Sequence, residues 1–132
     1  MAVIWRFRHY VSTSGTGDVK ATYDSGSAQK RARFLSRLKL LAGLPLEEWN
    51  ENYRKTLSGA CDGLEELRFK ADNVQQRPLG YRSGPNEFTI LFWATEKGGK
   101  FVPASACATA LERKKLSLAN RSLTNAIWLA LE

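Results

Sequence analysis

Six basic residues in the second half of the chain are spaced so that together they could bind a phosphate group. They are Arg68, Lys70, Arg77, Arg82, Lys97 and Lys100. Side chains two positions apart on a strand share a face, which predicts that Arg68 and Lys70 lie about 7 Å apart on one side of a sheet. Arginine binds phosphate oxygens through paired hydrogen bonds, and lysine supplies a point charge. If neighbouring strands present Arg77, Arg82 and Lys97 to that face, they form a concave cationic site; otherwise the residues belong to an ordinary solvated face.

Other kinds of catalytic site have little support in the sequence. His9 is the single histidine, which argues against histidine-based metal sites and Ser-His-Asp triads, and its place on the apolar side of a predicted strand favours a packed structural role. The runs Gly15-Thr16-Gly17 and Gly98-Gly99 are weak signals for a nucleotide-binding loop. Cys61 and Cys107 have no neighbouring ligands, so we expect free thiols. We therefore expect no metal and no cofactor.

The overall composition describes a basic, folded protein. The 132 residues include 20 Lys and Arg against 13 Asp and Glu, a net charge of +7, and 43% are hydrophobic. This length suits one domain, and the positive charge favours a polyanionic partner such as RNA. There is no stretch of about 18 apolar residues and no signal-peptide pattern, so we expect a cytoplasmic protein without a membrane span.

The hydrophobic pattern predicts the elements that would position these residues. Residues 3–11 alternate and predict the first strand, and residues 12–27, rich in Gly, Ser and Thr, predict a loop. Ser27 is expected to cap a helix that ends at Ala42. A second helix is predicted over residues 46–57, and the two would form a helical hairpin against the sheet.

The second half of the chain is predicted to supply most of the sheet. Strands are predicted over residues 64–70, 77–82 and 88–95, although Pro78 and Gly80 weaken the middle one. The strand over residues 88–95 is apolar on both faces and should be central. Two helices follow, predicted from Pro103 to Leu116 and from Asn120 to Glu132. The predicted order is β-α-α-β-β-β-α-α in one domain, residues 1–132.

Several short motifs in this half occur in a characteristic order. They are Gly63–Lys70 (GLEELRFK), Arg77–Tyr81 (RPLGY), Phe88–Trp93 (FTILFW), Lys97 with Pro103, and Ala110–Arg113 (ALER). In this order they resemble the motifs of one toxin family. Residues 63–70 resemble its Gly-Leu-x-Glu-Leu-Arg-x-Lys strand, residues 77–81 its Tyr-Arg-hydrophobic strand, and residues 88–93 its next hydrophobic strand. Lys97, Pro103 and residues 110–113 resemble its Lys-Lys…Pro…Ala-x-x-Arg ending. That family is the phage-derived, HigB-like branch of the RelE/ParE toxin superfamily. The similarity covers roughly residues 28–116.

The resemblance implies a fold and a function. The implied fold is α+β and RelE-like: a small, mainly antiparallel sheet of about four strands, with an N-terminal helical hairpin and C-terminal helices. Residues 117–132 would then be a C-terminal helical extension of the family-like core. The implied function is that of a toxin of a type II toxin–antitoxin system. Such a toxin is a metal-independent endoribonuclease that cuts messenger RNA, usually on the ribosome, and a cognate helix-turn-helix antitoxin holds it inactive.

The implied chemistry is attack of a ribose 2′-hydroxyl on the adjacent phosphorus, which requires positive charge around the transition state and a proton acceptor. Four basic residues receive catalytic roles from the resemblance: Arg68, Lys70, Arg77 and Lys97. Lys70 and Lys97 are the candidate proton acceptors. Four more residues are expected to contact RNA: Arg82, Lys100, Tyr81 and Arg113. Tyr81 would stack on a base, although a core role suits its strand equally well.

Two other functions are compatible with the same residues. A ParE-like toxin would inhibit DNA gyrase by binding a protein and would need no catalytic basic cluster. A non-catalytic phage or regulatory protein would bind RNA without cutting it. The basic helix surface Arg31–Lys39 would contact ribosomal RNA or an acidic antitoxin segment, or would simply be solvated. The C-terminal helix with Trp128 would pack on the core or form an interface.

Overall fold

A mixed β-sheet with α-helices on both faces forms the protein in the computed structural model, which describes residues 3–13 and 17–132. The strands in these residues are β1 (Arg6–Tyr10), β2 (Arg54–Thr56), β3 (Glu65–Leu67), β4 (Phe69–Ala71), β5 (Val74–Gly84), β6 (Glu87–Lys97), β7 (Lys100–Val102) and β8 (Thr124–Ala126). The helices are α1 (Asp18–Asp24), α2 (Ala28–Ala42) and α3 (Ala106–Ala119). Short 3-10 turns cover Leu46–Glu48, Gly59–Cys61 and Arg121–Leu123.

The long β5–β6 hairpin is the centre of the sheet. The strand order is β2-β3-β5-β6-β1-β8, and β4 and β7 pair with β5 and β6 respectively. β1 runs parallel to β6, and the other described pairs are antiparallel. The prediction that residues 88–95 form a central strand is confirmed, since β6 lies between β5 and β1.

Two hydrophobic clusters fill the space on either face of the sheet. Phe88 and Ile90 of β6 belong to the cluster that includes residues of α1 and α2. Leu91 and Ala94 belong to the cluster that includes residues of α3. Successive side chains of a strand point to opposite faces, so the helices cover the two sides of one sheet.

The predicted small, mainly antiparallel sheet of about four strands is wrong. The described residues form eight strands, and the parallel β1–β6 pair makes the sheet mixed. Strands β2, β7 and β8 contain three residues each, which is too short for a period of two to be visible in the sequence. They are strands because their backbone groups pair with longer neighbouring strands.

The second helix of the predicted hairpin, over residues 46–57, is replaced by a 3-10 turn and β2. Trp49 is buried there, and its indole Nε1 donates to the carbonyl oxygen of Leu41 at 3.0 Å and to that of Leu44 at 3.1 Å. Leu41 is in the last turn of α2 and Leu44 is two residues beyond its end, where carbonyl oxygens lack the regular N–H partners of a helix. β2 then pairs with β3, and Arg54 forms an ion pair with Glu65. These long-range contacts override the helical spacing of the segment.

The helix predicted from Asn120 to Glu132 is also wrong. The side chain of Asn120 accepts a hydrogen bond from the Ser122 N–H at 3.0 Å, and residues 124–126 then pair with residues 8–10 of β1. The free edge of β1 thereby gains the backbone partners that a C-terminal helix would not supply. Trp128 packs on the core, so that alternative for the C-terminal segment is confirmed.

The predicted loop over residues 12–27 contains helix α1, and residues 14–16, including part of the weak glycine signal, lie outside the described residues. Asp18 in its first turn interacts favourably with the helix dipole and forms an ion pair with Arg113, while Val19 is buried. The next helix was predicted correctly. The Ser27 hydroxyl accepts a hydrogen bond from the Lys30 N–H at 3.0 Å and caps α2.

Strand β5 runs through Pro78 and Gly80 without a break. A Cβ atom at Gly80 would lie 2.2 Å from the carbonyl oxygen of Thr89, so glycine is required by the close approach of β6. A register shift of the β5–β6 pairing occurs at this point. The helix predicted from Pro103 to Leu116 is present as α3, shifted by one turn toward the C-terminus.

Cys61 and Cys107 form a disulfide, so the prediction of free thiols is wrong. The two residues are 46 positions apart and lack a CxxC pattern, which is why the sequence does not pair them. The bond joins the 3-10 turn before β3 to the first turn of α3. Lys114 of the same helix also donates to the carbonyl oxygen of Gly63 at 2.7 Å. The start of β3 is therefore fixed to α3.

Replacing both cysteines, as Cys61→Ser/Cys107→Ser, should lower the free energy of unfolding by about 4 kcal/mol, because the bond closes a loop of 46 residues in the unfolded chain. Urea denaturation followed by tryptophan fluorescence measures the loss. Parent protein reduced with dithiothreitol is the control and should unfold at the same midpoint as the variant. An unchanged midpoint in both samples would contradict a stabilising disulfide.

His9 has the packed structural role that its strand position predicted. Its side chain is 5% exposed, and its ring meets that of Trp128 edge-on at 4.8 Å. Burial lowers the pKa of His9 from 6.5 to about 4, and Arg8 and Lys20 contribute further lowering. His9 is therefore neutral in the folded protein at neutral pH.

The lowered pKa of His9 predicts a loss of stability in mild acid. Between pH 6.5 and about 4 the unfolded chain binds a proton at this residue more readily than the folded chain does. The free energy of unfolding should therefore be fully present above pH 6.5 and fall by up to about 3 kcal/mol as the pH approaches 4. Urea denaturation across this range measures the fall. The variant His9→Phe should show a flatter dependence, and an identical slope in both proteins would refute the assignment.

Candidate nucleic-acid interface

Three of the predicted site residues line one cleft, which we call the basic cleft. It has a volume of about 270 Å³ and is lined by Arg37, Asn52, Arg68, Phe69, Lys70, Gln75 and Arg77. The lining residues come from α2, from the loop before β2, from the residue between β3 and β4, and from β4 and β5. Cationic side chains that are distant in sequence therefore meet at one place.

Strand register explains how Lys70 and Arg77 share a face. Lys70 lies opposite Gln75, and Glu66 lies opposite Leu79. Arg77 is midway between Gln75 and Leu79 on β5, so side-chain alternation directs all of these residues to the same side of the sheet. This is the side that α3 covers elsewhere, and the cleft lies where polar residues replace the apolar ones of the core.

Arg77 is held firmly by neighbouring groups. Its side chain is 4% exposed, and its Nε atom lies 3.0 Å from Glu66 Oε2 and 3.1 Å from Glu96 Oε1. Its Nη1 donates to the carbonyl oxygen of Gln76 at 3.0 Å, and its Nη2 donates to Gln75 Oε1 at 3.3 Å. Two carboxylates balance its charge, so Arg77 organises the floor of the cleft and has few donors left for a ligand.

Glu66 is the buried anion to which both strand arginines are attracted. Its Oε2 atom lies 3.0 Å from Arg77 Nε and 3.1 Å from Arg68 Nε. Neither contact has hydrogen-bond geometry, so the attraction is mainly between charges. Burial raises the pKa of Glu66, while Arg77 and Arg68 partly offset this effect. Glu66 therefore limits the positive charge of the cleft and also fixes the two guanidinium groups.

Arg68, Lys70 and Arg37 remain directed to the solvent side of the cleft. Arg68 is half-buried and donates through Nη1 to the carbonyl oxygen of Glu51 at 2.8 Å. Lys70 is exposed, and its ammonium group has no ion-pair partner among the described residues. Arg37 donates to the carbonyl oxygens of Arg68 at 2.8 Å and Asn52 at 3.2 Å. The four cations of the cleft exceed its two carboxylates, so the site favours an anion.

The sequence places Arg37 on the basic helix surface Arg31–Lys39, but it predicts neither Arg37 nor the two carboxylates as part of the same site as Arg68, Lys70 and Arg77. Glu66 alternates with Arg68 and Lys70, so the same strand pattern that placed the two cations on one face also places this anion there. Glu96 adjoins the predicted site residue Lys97, but only the β5–β6 register brings it next to Arg77. Arg37 has no comparable signal, because nothing in the sequence places α2 against β4.

The other predicted basic residues do not line the basic cleft. Lys97 and Lys100 are exposed and face each other across the β6–β7 turn. Glu96 is directed toward the cleft, and strand alternation therefore directs Lys97 to the opposite side. Arg82 lies toward the other end of β5, where its Nε atom pairs with Glu65 at 3.0 Å.

Tyr81 and Arg113 make contacts within the fold. Tyr81 is 8% exposed, and its hydroxyl shares a hydrogen bond of 3.2 Å with the hydroxyl of Ser117. Arg113 donates to the carbonyl oxygen of Leu91 at 3.1 Å and pairs with Asp18. Tyr81 thus belongs to the core beneath α3, and Arg113 connects α3 to α1. Neither residue lines the basic cleft.

No protein-family model matches this chain, and no curated protein or solved structure matches it. The resemblance to RelE/ParE toxins therefore depends on the order of the sequence motifs alone. None of the helices in the described part of the chain is long and apolar enough to cross a membrane.

The contacts of Arg77 and Lys70 predict that replacing Arg77 affects stability much more than replacing Lys70. Arg77→Met should lower the free energy of unfolding by about 3 kcal/mol, because it leaves Glu66 buried beside a single remaining arginine. Lys70→Met should change it by less than about 0.5 kcal/mol, because the side chain is exposed. Chemical denaturation measures both values. Adding Glu66→Gln to Arg77→Met should recover part of the loss, and equal effects of the two single variants would refute this division of roles.

Proposed function

We propose that the protein binds RNA at the basic cleft and acts as the toxin of a type II toxin–antitoxin pair. The observation that supports this most directly is the convergence of Arg37, Arg68 and Lys70 on one small cleft with excess positive charge. Guanidinium and ammonium groups in this arrangement suit phosphate oxygens. The amide side chains of Asn52 and Gln75 line the same cleft and suit the edges of unpaired bases.

In its most specific form, the proposal is metal-independent cleavage of messenger RNA on the ribosome, in the cytoplasm. A ribose 2′-hydroxyl would lose its proton to water and attack the adjacent phosphorus. The bond to the 5′ oxygen would break, this oxygen would take up a proton and leave as a hydroxyl, and a cyclic phosphate would remain. Arg68 would stabilise the charge that develops on the phosphoryl oxygens. Lys70 would donate that proton to the 5′ oxygen, because its ammonium group is exposed in the cleft and has no ion-pair partner in the described part of the chain. This mechanism does not use Lys97, Lys100, Arg82 or Arg113.

The similarity of the motifs in residues 28–116 to HigB-like toxins supports the toxin assignment. It also gives the expected partner, a helix-turn-helix antitoxin that blocks the basic cleft or holds the toxin away from the ribosome. A gene for such a protein immediately beside this one would be consistent with the assignment.

A non-catalytic RNA-binding protein is the second candidate, and the contacts of Arg77 favour it. Two carboxylates and two amide oxygens engage this residue, so it offers little free charge to a transition state. Binding requires only the outward-facing cations, whereas cleavage requires preorganised charge at the phosphorus. The two candidates therefore differ in whether bound RNA is cut.

The disulfide gives the cytoplasmic proposal a separate consequence. Disulfides persist mainly in oxidising compartments, and a cytoplasmic toxin would keep Cys61 and Cys107 reduced. The basic cleft does not include either cysteine. If the protein acts in the cytoplasm, the Cys61→Ser/Cys107→Ser variant should therefore retain the RNA binding of the parent at temperatures where it stays folded.

Adding the purified protein to a translating extract tests the proposed function. We expect ribosome-dependent cuts in messenger RNA, detected by primer extension. Lys70→Ala and Arg68→Ala should lower the cleavage rate by about 10²-fold, because each removes charge next to the phosphate. Lys100→Ala removes the same charge outside the cleft and should leave the rate unchanged.

The outcomes of this experiment separate the alternatives. RNA that is bound but not cut would favour the non-catalytic candidate. A defect in DNA supercoiling without any RNA binding would favour a ParE-like gyrase inhibitor. If Lys100→Ala reduced cleavage as strongly as Lys70→Ala, the assignment of the activity to the basic cleft would be wrong.

A further inference from the structure

Positively charged side chains extend from the basic cleft along helix α2, where the helix packs against strand β4. We call this the α2–β4 surface. Arg33 of the helix donates through Nη1 to the carbonyl oxygen of Lys70 at 3.3 Å. One turn further along the helix, Arg37 donates to the carbonyl oxygen of Arg68 at 2.8 Å. Two successive turns of α2 are thus attached by arginines to the strand residues of the cleft. Arg33 is exposed and does not itself line the cleft.

The spacing along α2 makes these cations a continuous row. Arg33 and Arg37 are four residues apart, so they lie on the same side of the helix about 6 Å from each other along its axis. Lys30 is one turn before Arg33, and its ammonium group lies 5.0 Å from the centre of the Trp93 ring. Lys39 is exposed on roughly the opposite side of the helix from Arg37. The positive charge therefore leads along one side of α2 into the cleft.

The end of the α2–β4 surface at Ser27 is less positive than the end at the basic cleft. Asp72 follows β4 and accepts a hydrogen bond of 2.5 Å from the Ser27 hydroxyl at the start of α2. The negative charge of this carboxylate raises the pKa of Lys30, but burial lowers it more strongly, so the pKa of Lys30 lies below its usual value. An anionic chain on the α2–β4 surface would therefore be attracted most strongly near Arg33, Lys70 and Arg37.

Arg37 also provides a flat surface at the end of this row. Its guanidinium group lies 4.5 Å from the centre of the Tyr53 ring, and Asn52 is adjacent. Planar guanidinium groups and aromatic rings are the surfaces on which proteins stack unpaired RNA bases. A guanidinium that is already supported by a ring on one side is held in place for stacking on the other.

We propose that the α2–β4 surface binds a short single-stranded RNA segment, with one phosphate on Arg33, the next on Lys70 in the basic cleft, and one unpaired base stacked on Arg37. The proposal rests on the proposed RNA function and adds the path and the strandedness of the ligand. Proteins recognise double-stranded RNA across about 16 base pairs, along a wide groove. A single row of cations along one helix, ending in a cleft of about 270 Å³, suits one strand of RNA instead.

Fluorescence anisotropy with a labelled oligouridylate of about eight nucleotides tests the path. Each phosphate contact with a single strand contributes about 0.7 to the slope of log affinity against log salt concentration. Arg33→Gln should therefore reduce the slope by about 0.7. Lys39→Gln removes the same charge from the other side of α2 and should leave the slope unchanged. A matched RNA duplex should bind at least about tenfold more weakly than the single strand.

Two further measurements test the stacked base. Arg37→Lys keeps the charge but loses the planar group, so affinity for the oligouridylate should fall about tenfold. An abasic oligomer of the same length should lose affinity for the parent by a similar factor but lose little for Arg37→Lys. If Arg37→Lys does not fold, as judged by circular dichroism, the abasic oligomer with the parent protein still decides this point.

The possible failures are distinguishable. If the parent binds the oligouridylate but Arg33→Gln and Lys39→Gln have the same slope, the α2–β4 surface is not the path, while the proposed RNA function stands. Equal affinity for duplex and single strand would overturn the strandedness. If the parent binds no RNA at low salt, the proposed function itself fails.

Discussion

The rest of the structure depends on the pairing of two long strands, β5 and β6. Every other strand except β2 and β8 pairs directly with one of them, and the two hydrophobic clusters lie on their two faces. This pairing requires glycine at position 80, because the carbonyl oxygen of Thr89 occupies the space of a side chain. The hairpin also sets the register that brings Arg77 beside Glu96 and places Lys70 on the same face. The geometry of the basic cleft is thus a consequence of one hairpin.

Within that frame, charge balance determines which cations remain available. A buried guanidinium requires nearby anions, since an unpaired charge in the interior is costly. Arg77 has two such anions, Glu66 and Glu96, and becomes part of the floor of the cleft. Lys70, at the exposed edge, has none within the described residues and keeps its charge free for a ligand. The same strand face therefore contains one cation with a structural role and one suited to binding.

Sequence reasoning succeeded where a local pattern had one physical interpretation. The alternation from Glu66 to Lys70 placed these side chains on one face, and the hydroxyl of Ser27 marked the start of α2. It failed where two structures share the same pattern. Residues 46–57 have helical spacing, but the indole of Trp49 caps the preceding helix and the segment then pairs as a strand. The arrival of Arg37 in the cleft had no local signal, because it depends on how α2 packs across the sheet.

The sequence by itself determined the first strand, the central strand, helices α2 and α3, the packed role of His9, and the basic character of the protein. These features follow from side-chain periodicity, capping and charge, which act between residues near each other in the chain. Tertiary structure alone decided the short strands β2, β7 and β8 and the Cys61–Cys107 bond. It also decided that Arg37, Arg68, Lys70 and Arg77 form a cleft from which Lys97 is absent. Those outcomes depend on contacts between segments that are distant in the chain. Such contacts can outweigh the local preference of a segment for helix or strand, and they produce no repeating pattern of residue types in the sequence.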